Sequence, residues 1–277
     1  FNCFVTLQLL ISIEIKLIII IFEFAWLNAE CLGKNTSFMI TNSELKYIKK
    51  LGRKKYRKLY SHFVVEGEKV FQDFFDSNIP VFKSYSTKQI NNQNTIIVTD
   101  NCMKKMTFLK THSNVLGIFS TPIKKKPPLN KKVLVLDDVS DPGNLGSIIR
   151  LCDWFGFENI VCSKKTVDCY NPKVVQSSMG SLARINIFYE DLKSYLSKVS
   201  IPIYGTFLNG EFVNRITFPN EFILIFGNES KGISKSISKF LSHKITIPKA
   251  SKSVVDSLNI TSATAIVMNE ISNQSFK

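Results

Sequence analysis

The sequence predicts an α/β protein. A small α/β domain over residues 39–122 is followed by a linker over 123–132 and a larger domain over 133–277 built on a mostly parallel sheet. Three observations carry this reading. After Lys132, short apolar runs alternate with helix-forming stretches, the pattern of a parallel sheet with crossover helices. The stretch Lys124-Lys125-Lys126-Pro127-Pro128-Leu129-Asn130-Lys131-Lys132 is a charged, proline-stiffened break between two such patterns. Two apolar strands run straight into turn-and-helix junctions, one at Asp141-Pro142-Gly143-Asn144 and one at Gly227-Asn228-Glu229.

The elements follow in order. Residues 1–26 are strongly apolar, but Glu14, Lys16 and Glu23 interrupt them, and charges are costly in the centre of a membrane span. A signal peptide would need a basic start that is missing here. Residues 1–38 are therefore expected to be an upstream extension or a disordered apolar segment, with Met39 the natural start. Residues 43–60 read as one very basic helix. Strands are expected at 63–65, 96–98 and 115–119, and a helix opens at Glu66-Gly67-Glu68 and runs to about Phe75. In the larger domain, strands are expected at 133–136, 159–162, 185–188, 201–206, 222–226 and 244–247. Helices are expected at 145–155, 172–182, 192–198, 233–241 and 258–271, and Gly156 stands where a C-terminal cap glycine belongs.

Charge narrows the function. The chain carries a net +14, and residues 39–126 hold 17 basic against 6 acidic side chains. A concentrated positive field of this kind meets phosphate, although a basic solvated surface has the same composition. The six cysteines form no C-x-x-C pair, and the three histidines lie far apart, which disfavours a zinc site, a redox motif or histidine-based metal catalysis. Reduced cytosolic thiols are the simplest reading.

The chemistry concentrates at three places. The first strand of the larger domain enters Asp137-Asp138-Val139-Ser140-Asp141-Pro142-Gly143-Asn144-Leu145-Gly146-Ser147-Ile148-Ile149-Arg150, which puts a carboxamide, a guanidinium and helix N–H groups at the C-terminal edge of the sheet. Open α/β sheets bind ligands there, and helix N-termini attract anions. The second place is Ile223-Leu224-Ile225-Phe226-Gly227-Asn228-Glu229-Ser230-Lys231-Gly232, where Gly227 permits close backbone approach and Glu229 sets a carboxylate at the turn. The third is Ile245-Thr246-Ile247-Pro248, a polar loop, then Ser257-Leu258-Asn259-Ile260-Thr261-Ser262-Ala263-Thr264-Ala265.

In this order the three segments resemble the SpoU (TrmH-like) family of RNA ribose 2′-O-methyltransferases, part of the knotted SPOUT methyltransferases. Lys54-Lys55-Tyr56-Arg57, Phe63-Val64-Val65-Glu66-Gly67-Glu68 and Asn171-Pro172-Lys173-Val174-Val175 extend the resemblance over about residues 41–271. It implies a C-terminal SPOUT domain with a trefoil knot, a substrate-binding domain before it, S-adenosylmethionine as methyl donor, RNA as substrate, and a cytoplasmic homodimer without metal or membrane attachment. It assigns the reaction to Arg150 and Asn144 with Ser257 and Asn259, and the cofactor loops to Gly227, Glu229, Ile247 and Leu258. Ordinary readings stand beside these: helix capping for Asn144, Ser257 and Asn259, core packing for Ile247 and Leu258, and helix-dipole complementarity for Glu229. The basic helix offers Arg53, Lys54, Lys55 and Arg57 to RNA phosphates. Tyr47, Tyr56 and Tyr60 either stack on bases or pack the helix onto its domain. The loop 249–256 is about two residues longer than the common family form, and residues 260–264 are more polar. Two other functions compete: a non-catalytic RNA-binding or ribosome-assembly factor, and a nucleotide-dependent small-molecule enzyme. The last lacks both G-x-G-x-x-G and G-x-x-x-x-G-K-[ST].

Overall fold

A computed structural model of the chain describes residues 40–90, 95–123 and 126–274. The apolar opening segment and Met39 lie outside the described residues. The front part holds α1 (Asn42–Leu51), α2 (Lys54–Tyr60), β1 (His62–Glu66), α3 (Glu68–Asp76), β2 (Val81–Ser86), β3 (Thr95–Ile97), α4 (Asp100–Met106) and β4 (Val115–Ser120). Its strands form one sheet in the order β1-β4-β2-β3, with β4 antiparallel to both its neighbours. The larger part holds β5 (Val133–Leu136), α5 (Pro142–Trp154), β6 (Asn159–Ser163), α6 (Pro172–Ser178), β7 (Asn186–Glu190), α7 (Leu192–Leu196), β8 (Ile203–Phe212), β9 (Ile223–Phe226), β10 (His243–Thr246) and α8 (Ile260–Gln274). These strands form a six-stranded sheet in the order β10-β8-β9-β5-β6-β7, and every neighbouring pair is parallel.

The sheet is buried on both faces, as a parallel sheet requires. Val133, Leu134, Val135 and Leu136 of β5 are all fully buried. Leu134 and Leu136 join a core with Ile148 and Ile149 of α5, Val174 of α6 and Val267 and Met268 of α8. Val133 and Val135 join the opposite cluster with Leu192, Tyr195 and Leu196. The alternation follows from the two-residue period of a strand.

Several expected boundaries move. The basic helix is two helices, because the backbone leaves the helical region at the extended Arg53; Gly52 before it packs so closely that an added Cβ would meet the Phe108 ring at 2.6 Å. Strand β2 was not expected, since its Lys83, Ser84 and Ser86 hide the apolar pattern. No α-helix forms over 233–241. The stretch makes turns and a single 3₁₀ turn at Ser238–Phe240, where closely spaced serines bond locally, Ser238 Oγ donating to the Lys235 carbonyl. The helix expected over 172–182 stops at Ser178 before a left-handed Met179. Strand β8 runs on to Phe212, and the last helix starts at Ile260, leaving Leu258 and Asn259 in the preceding loop.

The front sheet and the large sheet share one core. Phe63, Phe74 and Phe119 belong to the same cluster as Leu134 and Ile148, and the Phe63 ring meets Tyr170 at 4.5 Å. A buried ion pair fixes the contact. Arg57 donates through Nε (2.9 Å) and Nη2 (2.6 Å) to Asp168 Oδ2, and through Nη1 to the Leu51 carbonyl. Arg57 is only 4 % exposed, so the expectation that it binds RNA phosphate is corrected: its donors are spent inside the protein. Arg184 adds a second tie, to Asp153 at 2.7 Å and to Asp73 at 3.5 Å. Removing one partner of a buried pair strands the other charge, so Asp168→Ala is expected to destabilise the fold by about 3 kcal/mol, read as a lowered urea midpoint. An unchanged midpoint would mean that water reaches Arg57.

Candidate functional site

The site is assembled where β5, β9 and β10 end. Beyond β5, Asp138 takes a left-handed backbone (φ 62°), held by Ser163, whose Oγ donates to its carboxylate at 2.6 Å. Asp141 caps α5, its carboxylate accepting from Asn144 N–H at 2.8 Å, with Pro142 at the first helical position. Asn144 is thus not the capping residue that the sequence suggested, and its side chain is released for other contacts. The Asp-Pro pair was the signal that named the cap.

Beyond β9, Gly227 lies so near its own loop that a Cβ would sit 2.0 Å from the Gly232 carbonyl carbon. Asn228 and Gly232 exchange backbone hydrogen bonds at 3.0 and 2.9 Å, closing the loop. Asn228 Nδ2 donates to the Asp138 carbonyl at 2.8 Å, and Ser234 N–H donates to Asp137 at 2.8 Å. Glu229 then accepts from Ser140 N–H (3.3 Å), Ser140 Oγ (3.3 Å), Asp141 N–H (3.2 Å) and Asn144 Nδ2 (3.1 Å). Partial burial works to raise the Glu229 pKa, but these donors together hold it below the ordinary glutamate value.

Beyond β10, Thr246 Oγ1 donates to the Leu208 carbonyl, and Ile247 packs partly buried against the main core. The loop then turns outward. Val254 is 93 % and Leu258 51 % exposed. Asn259 closes it from the other side. Its Oδ1 accepts from Thr261 N–H at 2.8 Å, and its Nδ2 donates to Asn144 Oδ1 at 3.2 Å. Thr261 Oγ1 donates to the same oxygen at 3.4 Å. Asn259 is therefore both a helix-start residue and a tie between loops.

Of the residues singled out from the sequence, the structure joins Glu229, Asn144 and Asn259 in one hydrogen-bonded relay, with Gly227 two residues from Glu229. Arg150 lies six residues beyond Asn144 on α5, about 9 Å further along the axis. It is exposed and has no hydrogen-bond or ion-pair partner among the described residues. Ser257 is exposed and likewise unpartnered among the described residues. Arg53, Lys54 and Lys55 are exposed. Lys54 Nζ lies 5.8 Å over the Tyr189 ring at the end of β7, and Asp168, which holds Arg57, follows β6. The start of α2 therefore sits over the same sheet edge as the three-loop site. Sequence reasoning missed Thr261, Asn228 and Asp168, whose partners are far away in the chain. Among the described residues no group of three or more His, Cys, Asp or Glu gathers.

The Glu229 shift has a defined sign. A carboxylate held below its unfolded pKa stabilises the fold above the ordinary value of 4.5 and loses that contribution as pH falls through its folded pKa. Wild-type and Glu229→Gln stabilities, measured by denaturant unfolding from neutral pH downward, should differ at neutral pH and converge in acid. A constant gap at every pH would contradict the assignment.

The family model described as SpoU rRNA Methylase family matches residues 131–269, and the MRM3-like substrate binding domain matches residues 42–117. A Bacillus subtilis relative, 23S rRNA (guanosine(2553)-2′-O)-methyltransferase RlmP, is 29 % identical over 238 residues, covering 82 % of this chain and 95 % of that protein. A Borreliella burgdorferi protein described as an uncharacterized tRNA/rRNA methyltransferase is 32 % identical, covering 60 % of this chain and 71 % of its own length. Among solved structures, a TrmH-family protein from Porphyromonas gingivalis superposes with a TM-score of 0.77 at 30 % identity, over 84 % of this chain and 98 % of that one. An AdoMet-bound rRNA methyltransferase from Sinorhizobium meliloti gives 0.75 at 26 % identity, over 85 % of this chain and 96 % of that one. A family model over half the sequence, and relatives matched along most of their length, place the chain in the SpoU rRNA methylase family.

Proposed function

We propose that the chain transfers a methyl group from S-adenosylmethionine to a ribose 2′-hydroxyl of ribosomal or transfer RNA, and that it works as a cytoplasmic homodimer. The observation that carries this reading is the relay of Glu229, Asn144 and Asn259, which ties the three family motifs into one site, with the unpaired Arg150 further along the same helix as Asn144. Residues 39–122 act as the RNA-binding domain, 123–132 as linker and 133–277 as the methyltransferase domain.

The residues present fit the cofactor. An adenine needs apolar walls, and the site offers a partly buried Ile247 and the half-exposed Leu258, beside a β9 loop drawn tight on its own backbone at Gly227. When bound, S-adenosylmethionine supplies an electrophilic methyl group. The chain's own residues do the rest. A 2′-hydroxyl is a weak nucleophile and must shed its proton while held in line with the methyl group. A guanidinium remains charged and does not take that proton unaided. Arg150 clamps an RNA phosphate, which shares the proton, and stabilises the developing alkoxide charge. Asn144 and Asn259 hold the substrate ribose side of the site in register with the cofactor loops, and Ser257 offers a free hydroxyl to the substrate. Glu229 locks the β9 loop onto the start of α5.

Further support comes from the chain path. Strand β10 pairs at the outer edge with β8, yet α8 returns to pack against α5. At its end Gln274 accepts from Phe218 N–H and donates to the Ile216 carbonyl. The last helix is thus fastened at its end to an earlier segment and packs along α5, a path that agrees with the trefoil knot we propose. Trp154 on α5 is 82 % exposed and Ile266 on α8 is 38 % exposed, apolar surface that a second copy would cover. Cys102, Cys152, Cys162 and Cys169 are buried, and no helix among the described residues is long and apolar enough to cross a membrane.

Labelled methyl transfer from S-adenosylmethionine to total RNA tests the reading. Arg150→Ala is expected to lower turnover at least about a hundredfold while cofactor binding by calorimetry stays intact. Near-wild-type turnover of the variant, or no transfer by the wild type to any RNA, would overturn it.

A further inference from the structure

The front part carries a chain of five aromatic rings that the methyl-transfer site does not use. Tyr56 and Tyr60 of α2 are stacked with centroids 6.3 Å apart. Tyr60 meets Tyr47 of α1 at 5.0 Å, and Tyr47 meets Phe82 of β2 at 6.2 Å. Phe82 meets His62 of β1 at 4.2 Å. The row crosses four elements.

Its outer end is built to face water. Val81 pairs with Phe119 and Lys83 with the adjacent Ile118, so Phe82 is the extra residue of a β-bulge. Bulges re-aim side chains, and this one leaves the Phe82 ring 51 % exposed instead of in the core that takes Tyr85 on the same strand. Beneath it, Tyr47 and His62 are fixed by a 2.5 Å contact between the tyrosine hydroxyl and Nδ1. Burial keeps the His62 ring toward its neutral form, flat and uncharged. The inner rings are thus held by packing, and the outermost is open.

The surroundings are cationic. Lys50 Nζ lies 5.5 Å over the Tyr56 ring and Lys55 Nζ 6.0 Å from it. Lys46, Lys54 and Lys58 stand exposed on the same two helices, and Arg53 stands exposed in the turn between them. The neighbouring carboxylate of Glu44 is already occupied by Lys83 and Thr41. Aromatic faces interleaved with lysines match a strand whose bases are splayed and whose backbone is anionic. They do not match a duplex, whose bases are stacked on one another.

We infer that this ring row is a stacking platform for unpaired RNA bases, with Phe82 as its base-contacting ring, Tyr47 and His62 as the support beneath it, and the α1–α2 lysines taking the phosphates. The inference rests on the RNA-methyltransferase reading for its substrate class and adds to it a preference for single-stranded segments. It also settles the choice left by the three tyrosines: they pack against one another and support the platform instead of standing alone as contacts.

The test is fluorescence anisotropy of the full chain with a labelled short single-stranded RNA oligonucleotide and with the same sequence as a duplex. Phe82→Ala is expected to weaken single-strand binding about tenfold, with little change on duplex. Phe82→Leu, which keeps the apolar bulk, should weaken it similarly, and Phe82→Trp should restore it. The dependence of affinity on salt should be unchanged in the Phe82 variants and shallower in Lys58→Ala. Equal affinity of wild type and Phe82→Leu for the single strand overturns the inference, as does equal loss on single strand and duplex. Methyl transfer by the wild type is scored separately, so failure of the platform and failure of the enzymatic reading are read from different measurements.

Discussion

The site depends on one carboxamide. Asn144 donates to Glu229 on one side and accepts from Asn259 and Thr261 on the other, which ties loops from three different strand ends. Only a short amide serves both directions. An aspartate at this position would face Glu229 with a like charge, and a glutamine would overreach contacts of 3.1–3.2 Å. The amide is free for this because Asp141 has taken over the capping of α5. A local exchange of roles at the helix start thus fixes the long-range geometry, over sequence separations of 85 and 115 residues.

A second constraint sets where substrate can approach. The Arg57–Asp168 pair and the shared Phe63–Tyr170 contact pin the front part against loops that follow β6. The exposed lysines of α2 then lie over the C-terminal sheet edge, where the three loops also meet. A tight buried pair is weak evidence of added stability but good evidence of fixed orientation, because its geometry tolerates little movement. Residues that looked alike in the sequence divide accordingly. Lys54 and Lys55 remain at the surface, whereas Arg57, two positions beyond Lys55, is the anchor that positions them.

Much of this was legible beforehand. The alternation of apolar runs after Lys132 foretold the parallel sheet, and the strand–turn–helix junctions marked its functional edge. What escaped has physical causes. Strand β2 carries a lysine and two serines in six residues and opens with a bulge, so no two-residue period shows. The stretch 233–241 keeps helical spacing of isoleucines, but its serines satisfy the backbone locally and defeat the helix. The burial of Arg57 depends on an aspartate 111 residues away, and Asn144's partners are comparably remote. Local pattern names the residues; which of their neighbours they bond is decided by packing across the chain.

The most direct test of this account is a double-mutant cycle on methyl transfer, with Asn144→Ala, Glu229→Gln and the pair compared with wild type by kcat/KM. If one relay holds the three loops together, the second substitution should add little once the first is made, giving a coupling energy of about 1 kcal/mol or more. Fully additive losses would show that the two residues act independently and that the site is held together by something else.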